Sequence, residues 1–253
     1  MKISQDQKEA NRLAILQAAV DLIAENGFKT ATMRRIAKAA GVGEATIYNY
    51  FPTKEAILYA YYQDHMHRCV EELKTVADFN TFTLQEQLQT LFGASLDRYL
   101  SHREFVAQTF RLVFLSPSRD WTQVKPIRAA FLAAVDDMLA AAVEVGEIPD
   151  QVFESLLGQF FMDAYIGAVH YWLTDTSQGF ANTHALIDRG LDLACALLKA
   201  GIANKLFDIA VFMFKTHVAS RMDYFIDPLK RAGRIKRRFM ESMDDGSAAH
   251  RKD

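Results

Sequence analysis

The apolar residues of this chain recur at helical spacing along most of its length. In the first such segment, Leu13, Leu16, Val20 and Ile23 fall on one stripe of a helix that covers about residues 6–26. The sequence contains no segment in which apolar and polar residues alternate strictly, which is the pattern that indicates a β-strand. The pattern therefore predicts an all-α fold.

Breaks in the apolar pattern set the boundaries of the predicted helices. Thr53 is placed to cap the fourth helix, and Thr83 with Glu86 fits a capping box at the start of the fifth. Glycine- and proline-containing segments separate the later helices. The predicted helices cover about residues 6–26, 32–40, 44–51, 53–76, 83–100, 103–115, 122–145, 150–174, 182–199 and 202–226.

These helices suggest two domains and a tail. We expect an N-terminal domain over 1–52, a larger helical domain over 53–226, and a basic, partly disordered tail over 227–253. Because no linker precedes the long fourth helix, the connection between the domains should be stiff. The formal net charge of −2 conceals an acidic middle and two basic ends, which can accept nucleic acid. The basic run at 230–238 is either a solvated helix end or an auxiliary DNA contact.

Composition and motifs exclude several classes of protein. The N-terminus has no apolar core for export, and no apolar run approaches the ~20 residues that span a bilayer, so we expect a cytoplasmic protein without a membrane partner. His65, Cys69 and Cys195 make no metal or redox spacing. The sequence lacks a nucleophile elbow, a phosphate loop and a dinucleotide fingerprint. We therefore expect no catalytic residues, no metal and no cofactor.

The segment over 32–58 carries the most specific signal. Its two short helices are joined by a tight turn that contains Gly41, which is the pattern of a helix-turn-helix. The second helix of such a motif lies in the major groove, where Thr46 and Asn49 could bond to base edges. Tyrosine hydroxyls and the lysine at the next helix start suit phosphates. The candidate DNA contacts are Thr32, Arg34, Arg35, Glu44, Ala45, Thr46, Tyr48, Asn49, Tyr50 and Lys54. The alternative is a three-helix packing unit that does not touch DNA.

This segment, TMRRIAKAAGVGEATIYNYFPTKEAIL, resembles the TetR (tetracycline-repressor-like) family, and residues 18–28 match the family's first helix. The resemblance implies a homodimer with two reading heads and a small-molecule pocket in the C-terminal domain. Two positions depart from the family pattern. Gly43 stands where Ser or Thr usually caps the reading helix, and Glu44 stands where Lys or another polar residue is common, which leaves the operator sequence open.

Large apolar groups crowd the helices of the C-terminal body. The resemblance implies that some of them line an effector pocket, with Asp163 among the possible polar anchors. The candidates are Phe92, Tyr99, Gln108, Phe110, Arg111, Phe114, Phe131, Phe161, Met162, Tyr165 and His170. They predict an apolar or aromatic small molecule as effector. The alternative is an ordinary hydrophobic core.

The resemblance also assigns the helices over 150–174 and 182–199 to a four-helix dimer interface. Small residues in the first of them allow close packing, and aromatic residues beside them supply buried area. The candidate interface residues are Phe160, Ala164, Gly167, Ala168, Tyr171, Leu191 and Cys195. The alternative is packing within one chain.

Together these features predict a sequence-specific DNA-binding transcriptional regulator. We expect a repressor that a small-molecule effector releases from a palindromic operator. Its expected partners are double-stranded DNA, a second copy of itself and the effector. An activator or an effector-independent regulator is the nearest alternative, and a helical adaptor or an enzyme is more distant.

Overall fold

The computed structural model describes residues 4–117, 120–151 and 154–213, and the regular elements in these ranges are all helical. The prediction of an all-α fold is therefore confirmed. A π-helical turn over Arg111–Leu115 follows α6 without a break. The helices are α1 (Gln5–Asn26), α2 (Met33–Ala39), α3 (Glu44–Tyr50), α4 (Lys54–Leu73), α5 (Leu84–Leu100), α6 (Arg103–Phe110), α7 (Trp121–Glu144), α8 (Glu154–Thr174), α9 (Ala181–Lys199) and α10 (Ile202–Met213).

Side-chain caps begin the helices where the sequence indicated. The Thr53 hydroxyl accepts from the backbone N–H of Ala56 at the start of α4. At α5, Thr83 and Glu86 form the reciprocal capping box that the sequence predicted. Gly27 ends α1 with a φ of 88°, a backbone conformation that residues other than glycine rarely adopt. These local signals explain why most predicted boundaries lie within a few residues of the observed ones.

The structure corrects three local expectations. Helix α4 ends at Leu73 rather than near Val76, because the next backbone N–H groups bond three residues back and tighten the last turn. The helix predicted over 103–115 is α-helical only to Phe110. Leu13 is 40% exposed, because it lies on the side of α1 that borders a groove toward α4.

The core forms where α4 is packed against α5 and α7, while α1 packs against α2, α4 and α6. Residues through Ala200 make one compact unit, and a second unit that contains α10 begins at Gly201. The predicted tail over 227–253 lies outside the described residues. In the described ranges, no helix is both long and apolar enough to cross a membrane.

Candidate functional site

The α2 and α3 helices form a compact helix-turn-helix against α1. Ile36, Ala37 and Ile47 are fully buried, whereas Ala40 and Val42 are half-buried. The turn between them is closed by a hydrogen bond from Val42 N to Ala37 O, and Gly41 adopts a φ of 70°. This packing fixes the orientation of α3 and leaves one of its faces uncovered.

That uncovered face of α3 is short and polar. Ala45 and Asn49 are exposed, Thr46 is half-buried, and the Tyr48 side chain is 54% exposed. Gly43 provides no side-chain cap, so the first N–H groups of α3 receive no bond from a hydroxyl there. On a face of this kind, hydrogen-bonding groups close to the helix backbone can reach base edges, since few long side chains separate the helix from the DNA.

Arg34 and Glu44, two predicted DNA contacts, are paired with each other. The Arg34 Nε lies 2.7 Å from Glu44 Oε1, and the side chains are 81% and 63% exposed. An exposed pair contributes little to stability, so a DNA phosphate can replace the carboxylate at small cost. The pair holds the Glu44 carboxylate at the first turn of α3.

Several other predicted contacts also hold the α1–α2 turn together. Lys54 Nζ donates to the Phe28 carbonyl and lies 4.0 Å from the centre of its ring, and partial burial lowers the pKa of this lysine. Arg35 donates to the carbonyl of Thr30, and the Thr32 hydroxyl caps α2 by accepting from Arg35 N. Their contact with DNA stays a prediction.

Tyr50 is attached to the first helix rather than free on the surface of α3. Its hydroxyl accepts from Asn11 Nδ2 at 3.1 Å, and its side chain is half-buried. The bond ties the end of α3 to the start of α1. Tyr50 therefore stabilises the packing of α3 on α1, and its contact with a phosphate stays a prediction.

Gln108 links the reading head to the body of the molecule. Its Oε1 accepts from Phe28 N at 3.1 Å, and its Nε2 donates to Ala24 O at 3.2 Å. These bonds satisfy backbone groups that the end of α1 leaves unpaired. Sequence reasoning placed Gln108 in the effector pocket, whereas the structure places it between α6 and α1. A second link is the ion pair of Arg12 and Asp64, at 2.6 Å between α1 and α4.

The structure brings the apolar effector candidates together. The rings of Phe92 and Phe131 lie 5.5 and 5.1 Å from that of Tyr165, and Phe114 lies 4.7 Å from Phe110. Tyr62 of α4, which sequence reasoning missed, lies 5.1 Å from Phe114. We call this the aromatic cluster. Its buried members are Tyr62, Phe92, Tyr99, Phe110, Phe114, Phe131 and Tyr165, and the candidates Phe161 and Met162 are buried on the same helix as Tyr165.

The polar effector candidates do not join this cluster. Arg111 and His170 are exposed, and Gln108 is engaged at α1. Polar groups inside the cluster include His65, Ser95 and Tyr165, and Thr109, whose hydroxyl lies 2.8 Å from that of Tyr62. The Ser95 hydroxyl lies 2.8 Å from His65 Nε2 and 2.6 Å from the Tyr165 hydroxyl.

His65 is also stacked on an aromatic ring. Its imidazole is parallel to the Tyr99 ring at 3.6 Å, and burial lowers the pKa of His65 to about 3. Cys69 Sγ lies 3.5 Å from the same Nε2. The inward-facing spacing of His65 and Cys69 on one helix was the sequence signal that could have indicated a buried polar link between α4 and α5.

An apolar groove runs between α8 and α9. Ala164, Gly167 and Ala168 form its floor, and the side chains of Phe160 and Tyr171 are 54% and 41% exposed. These five residues were predicted to form the dimer interface, and they lie together on the surface.

The other two predicted interface residues face inward. Leu191 is 3% exposed and Cys195 is 1% exposed, so both are buried within the chain. They lie one helical turn apart on α9, and Leu191 also lines the bottom of the α8–α9 groove. Leu186, Leu193 and Leu197 take the outward positions of α9, with exposures of 48%, 60% and 39%.

A helix-turn-helix head on a larger helical body defines a DNA-binding transcriptional regulator. This chain belongs to the TetR family. The model described as "Bacterial regulatory proteins, tetR family" matches residues 15–61, and the model described as "Tetracyclin repressor-like, C-terminal domain" matches residues 87–213. The resemblance seen in residues 18–58 thus extends over the helical body.

Several relatives share the whole architecture. The chain is 27% identical over 199 residues to the fatty acid metabolism regulator protein of Bacillus subtilis, an alignment that covers 79% of this chain and 99% of the relative. The fold is similar to that of the fatty acid degradation regulator FadR from Bacillus halodurans (24% identity, TM-score 0.58, covering 79% and 98% of the two chains). It is also similar to FadR from Bacillus subtilis in complex with stearoyl-CoA (27% identity, TM-score 0.57, covering 75% and 98%).

Proposed function

We propose that this chain is a repressor whose dimer holds a palindromic operator and releases it when a long-chain acyl-CoA binds the C-terminal body. The observation that carries the proposal is the 27% identity over 99% of a fatty acid metabolism regulator. A relative crystallised with stearoyl-CoA gives the class of effector. The sequence expectation of an apolar effector agrees with an acyl chain.

The aromatic cluster supports an apolar ligand. The alkyl part of an acyl chain forms no hydrogen bonds, so it favours a pocket lined by aromatic and aliphatic side chains from which water is excluded. Phe131 and Phe161 in this region are fully buried, and the Tyr165 hydroxyl can donate to a carbonyl oxygen near one end of the chain. A chain that enters must displace some of these side chains, since protein cores are close-packed.

The link from this cluster to the reading head is short. Tyr62 lies in the cluster on α4, which begins only four residues after α3 ends at Tyr50. Gln108 ties α6 to the end of α1. Movement of either helix therefore shifts α1, α2 and α3 as a unit. Release of DNA requires that acyl-CoA bind the shifted arrangement more tightly than the DNA-bound one.

The α8–α9 groove supports a homodimer. Exposed apolar groups on both helices, among them Phe160, Leu186 and Leu193, flank its small-residue floor. A two-fold axis would place the same surface of a second copy on this one, and a dimer of that symmetry reads a palindrome. The two heads then contact half-sites about 34–36 Å apart.

A titration with acyl-CoA tests the proposal. An operator is first selected from random duplexes with the full-length protein, and its affinity is then measured with palmitoyl-CoA or with free CoA. We expect palmitoyl-CoA to weaken operator binding and free CoA to leave it unchanged. Stronger binding with palmitoyl-CoA would assign the opposite sign of control, and no effect at saturating palmitoyl-CoA would reject this effector class.

A further inference from the structure

A groove of about 580 Å³ lies between the first helix and the body of the molecule. Leu13 and Gln17 of α1 form one wall, and Tyr61 and Arg68 of α4 form the other. The C-terminal end of α5 closes the groove with Arg98. The groove therefore has the reading head on one side and the body on the other.

Two arginines on the body side of the groove have hydrogen-bonding capacity to spare. Arg68 is exposed, and it forms no ion pair with any residue in the described ranges. Arg98 Nη1 lies 3.2 Å from Glu72 Oε2, but Arg98 Nε is buried and has no hydrogen-bond partner in the part of the chain that the structure describes. A buried donor without a partner is costly, so a ligand oxygen that accepts from it is favoured.

His102 adds a third donor at the same end of the groove. Its Nδ1 lies 3.0 Å from the Tyr61 hydroxyl. Burial lowers the pKa of His102 below its usual value, so the ring is neutral at pH 7. A hydroxyl that donates to Nδ1 leaves the ring hydrogen on Nε2, which can then donate to an oxygen of a bound ligand.

The charges in the groove favour an anion. The charged side chains that line it are Asp64, Arg68 and Arg98. The Asp64 carboxylate is balanced by Arg12, at 2.6 Å, and the Arg98 guanidinium is balanced in part by Glu72. The positive charge of Arg68 is therefore the one left without a counter-charge among these groups.

The wall on α1 is apolar. Leu13 is 40% exposed, and Leu16 and Val20 are buried beneath it at the bottom of the groove. An aromatic ring placed here would remove Leu13 from water and could pack against the ring of Tyr61. A ligand that combines a ring with an oxyanion thus fits both walls.

We propose that this groove binds a small aromatic carboxylate or phosphate ester, with its oxyanion between Arg68 and Arg98 and its ring against Leu13. A guanidinium binds either oxyanion through parallel N–H donors. Such a ligand would contact α1 and two helices of the body at once, so it would hold the reading head in its present position on the body. The inference does not depend on the nature of the effector that enters the aromatic cluster.

Fluorine NMR titration of the full-length protein tests the site. The probes are para-fluorobenzoate and para-fluorophenyl phosphate, which differ in their oxyanion, and para-fluorobenzyl alcohol, which has the ring without the charge. We expect at least one of the anions to bind, and the alcohol to bind about tenfold more weakly or not at all. Arg68→Gln and Arg98→Gln should each weaken binding of the anion by about tenfold, the scale of one charge-assisted hydrogen bond.

Two further variants localise the ligand. Leu13→Ser, on the opposite wall, should weaken the anion by about threefold, because part of an apolar contact is lost. Lys74→Gln removes an exposed cation outside the groove and should bind as the wild type does. Thermal unfolding without ligand verifies that each variant is folded. If Arg98→Gln unfolds for lack of its contact with Glu72, Arg68→Gln and Leu13→Ser decide the question.

Each outcome bears on the site. Failure of both anions to bind the wild type overturns it. Equal affinity for the alcohol and the anions overturns the role given to the arginines. Anion binding that Arg68→Gln and Leu13→Ser leave unchanged also overturns the site, since the ligand would then lie elsewhere on the molecule. Weakening in both variants supports it, and the anion that binds more tightly shows whether the groove prefers a carboxylate or a phosphate ester.

Discussion

At the scale of single residues, the uncovered face of α3 carries short polar groups rather than long cations. Thr46 and Asn49 lie on the uncovered face of α3, while Arg34 is paired with Glu44. Lys54 is held by the carbonyl of Phe28. We therefore expect different residues to contact base edges and phosphates, so that substitutions separate specificity from affinity.

Thr46→Ala and Asn49→Ala should each relax the base preference at particular operator positions. The expected loss is roughly 1–3 kcal/mol for a well-formed base contact, with little effect on binding to unrelated DNA. Binding-site selection with wild type and variants measures it, and Asn80→Ala, in the short 3₁₀ turn between α4 and α5, serves as the control. Identical selected sequences for all four proteins would remove these residues from the reading surface.

The buried imidazole of His65 predicts a dependence of stability on pH. Burial lowers its pKa to about 3, whereas an unfolded histidine titrates near ~6.5. Between these values only the unfolded chain takes up the proton. The stabilisation is therefore complete above about pH 6.5 and is lost as the pH falls toward 3, at up to about 1.4 kcal/mol per pH unit.

His65→Gln tests this dependence. From pH 7 to pH 5.5 the free energy of unfolding of the wild type should fall by about 1 kcal/mol more than that of the variant. Urea denaturation at the two pH values gives the difference. His67→Gln, at an exposed position on the same helix, should keep the wild-type dependence. Parallel pH profiles for the wild type and His65→Gln would contradict the assignment.

At the scale of elements, α6 is a short helix with contacts at both ends. Arg103, at its start, donates to the carbonyls of Trp172 and Leu173 at the end of α8. Gln108, near its end, bonds the backbone of α1. The helix thus joins the reading head to a helix of the proposed dimer interface.

Gln108→Ala should lower the free energy of unfolding, because it removes the hydrogen bonds that join α6 to α1. It leaves two backbone groups at the end of α1 without their partner, at a cost of about 1–3 kcal/mol in the free energy of unfolding. Gln89→Ala removes an exposed hydrogen bond to Asp188 and should cost clearly less. Urea denaturation compares the two, and an equal loss in both would contradict the role given to Gln108.

Local signals explain which elements could be predicted from the sequence. The caps at Thr53 and Thr83 act within four residues, so helix starts follow from the sequence alone. The role of Gln108 could not be predicted in this way, because its partners lie 80 and 84 residues away. The π-helical turn was missed since its apolar spacing also fits an α-helix.

The dimer candidates show a second limit of sequence patterns. Helix α9 carries apolar residues on two faces, and packing against α5 and α8 decides which face is buried. Leu191 and Cys195 took the inner face, while Leu193 and Leu197 are exposed. On α8 the aromatic residues and the small residues lie along one groove, because the spacing of Ala164, Gly167 and Ala168 places them on one helix face, and their role in a dimer stays a prediction.

At the scale of the whole molecule, a palindromic operator calls for two copies of the chain. A Cβ added at Gly167 meets no atom of its own chain within 4 Å, so Gly167→Arg should not disturb the fold of the protomer. In the α8–α9 groove the new cation would be buried against the partner. We expect weakening of the dimer, as measured by size-exclusion chromatography with light scattering.

The matched control is Ala133→Arg, which introduces the same cationic side chain at an exposed position of α7. It should leave the oligomeric state unchanged. If Gly167→Arg formed dimers as stably as the wild type at low micromolar concentration, the interface would have to lie elsewhere on the molecule.

The central claim is that operator and acyl-CoA compete through one conformational equilibrium. It is tested most directly by measuring palmitoyl-CoA affinity with and without saturating operator, and operator affinity with and without saturating palmitoyl-CoA. Thermodynamic linkage requires the two ratios to be equal. The account predicts that each ligand weakens the other by the same factor, well above one. Binding of palmitoyl-CoA that leaves operator affinity unchanged would contradict it.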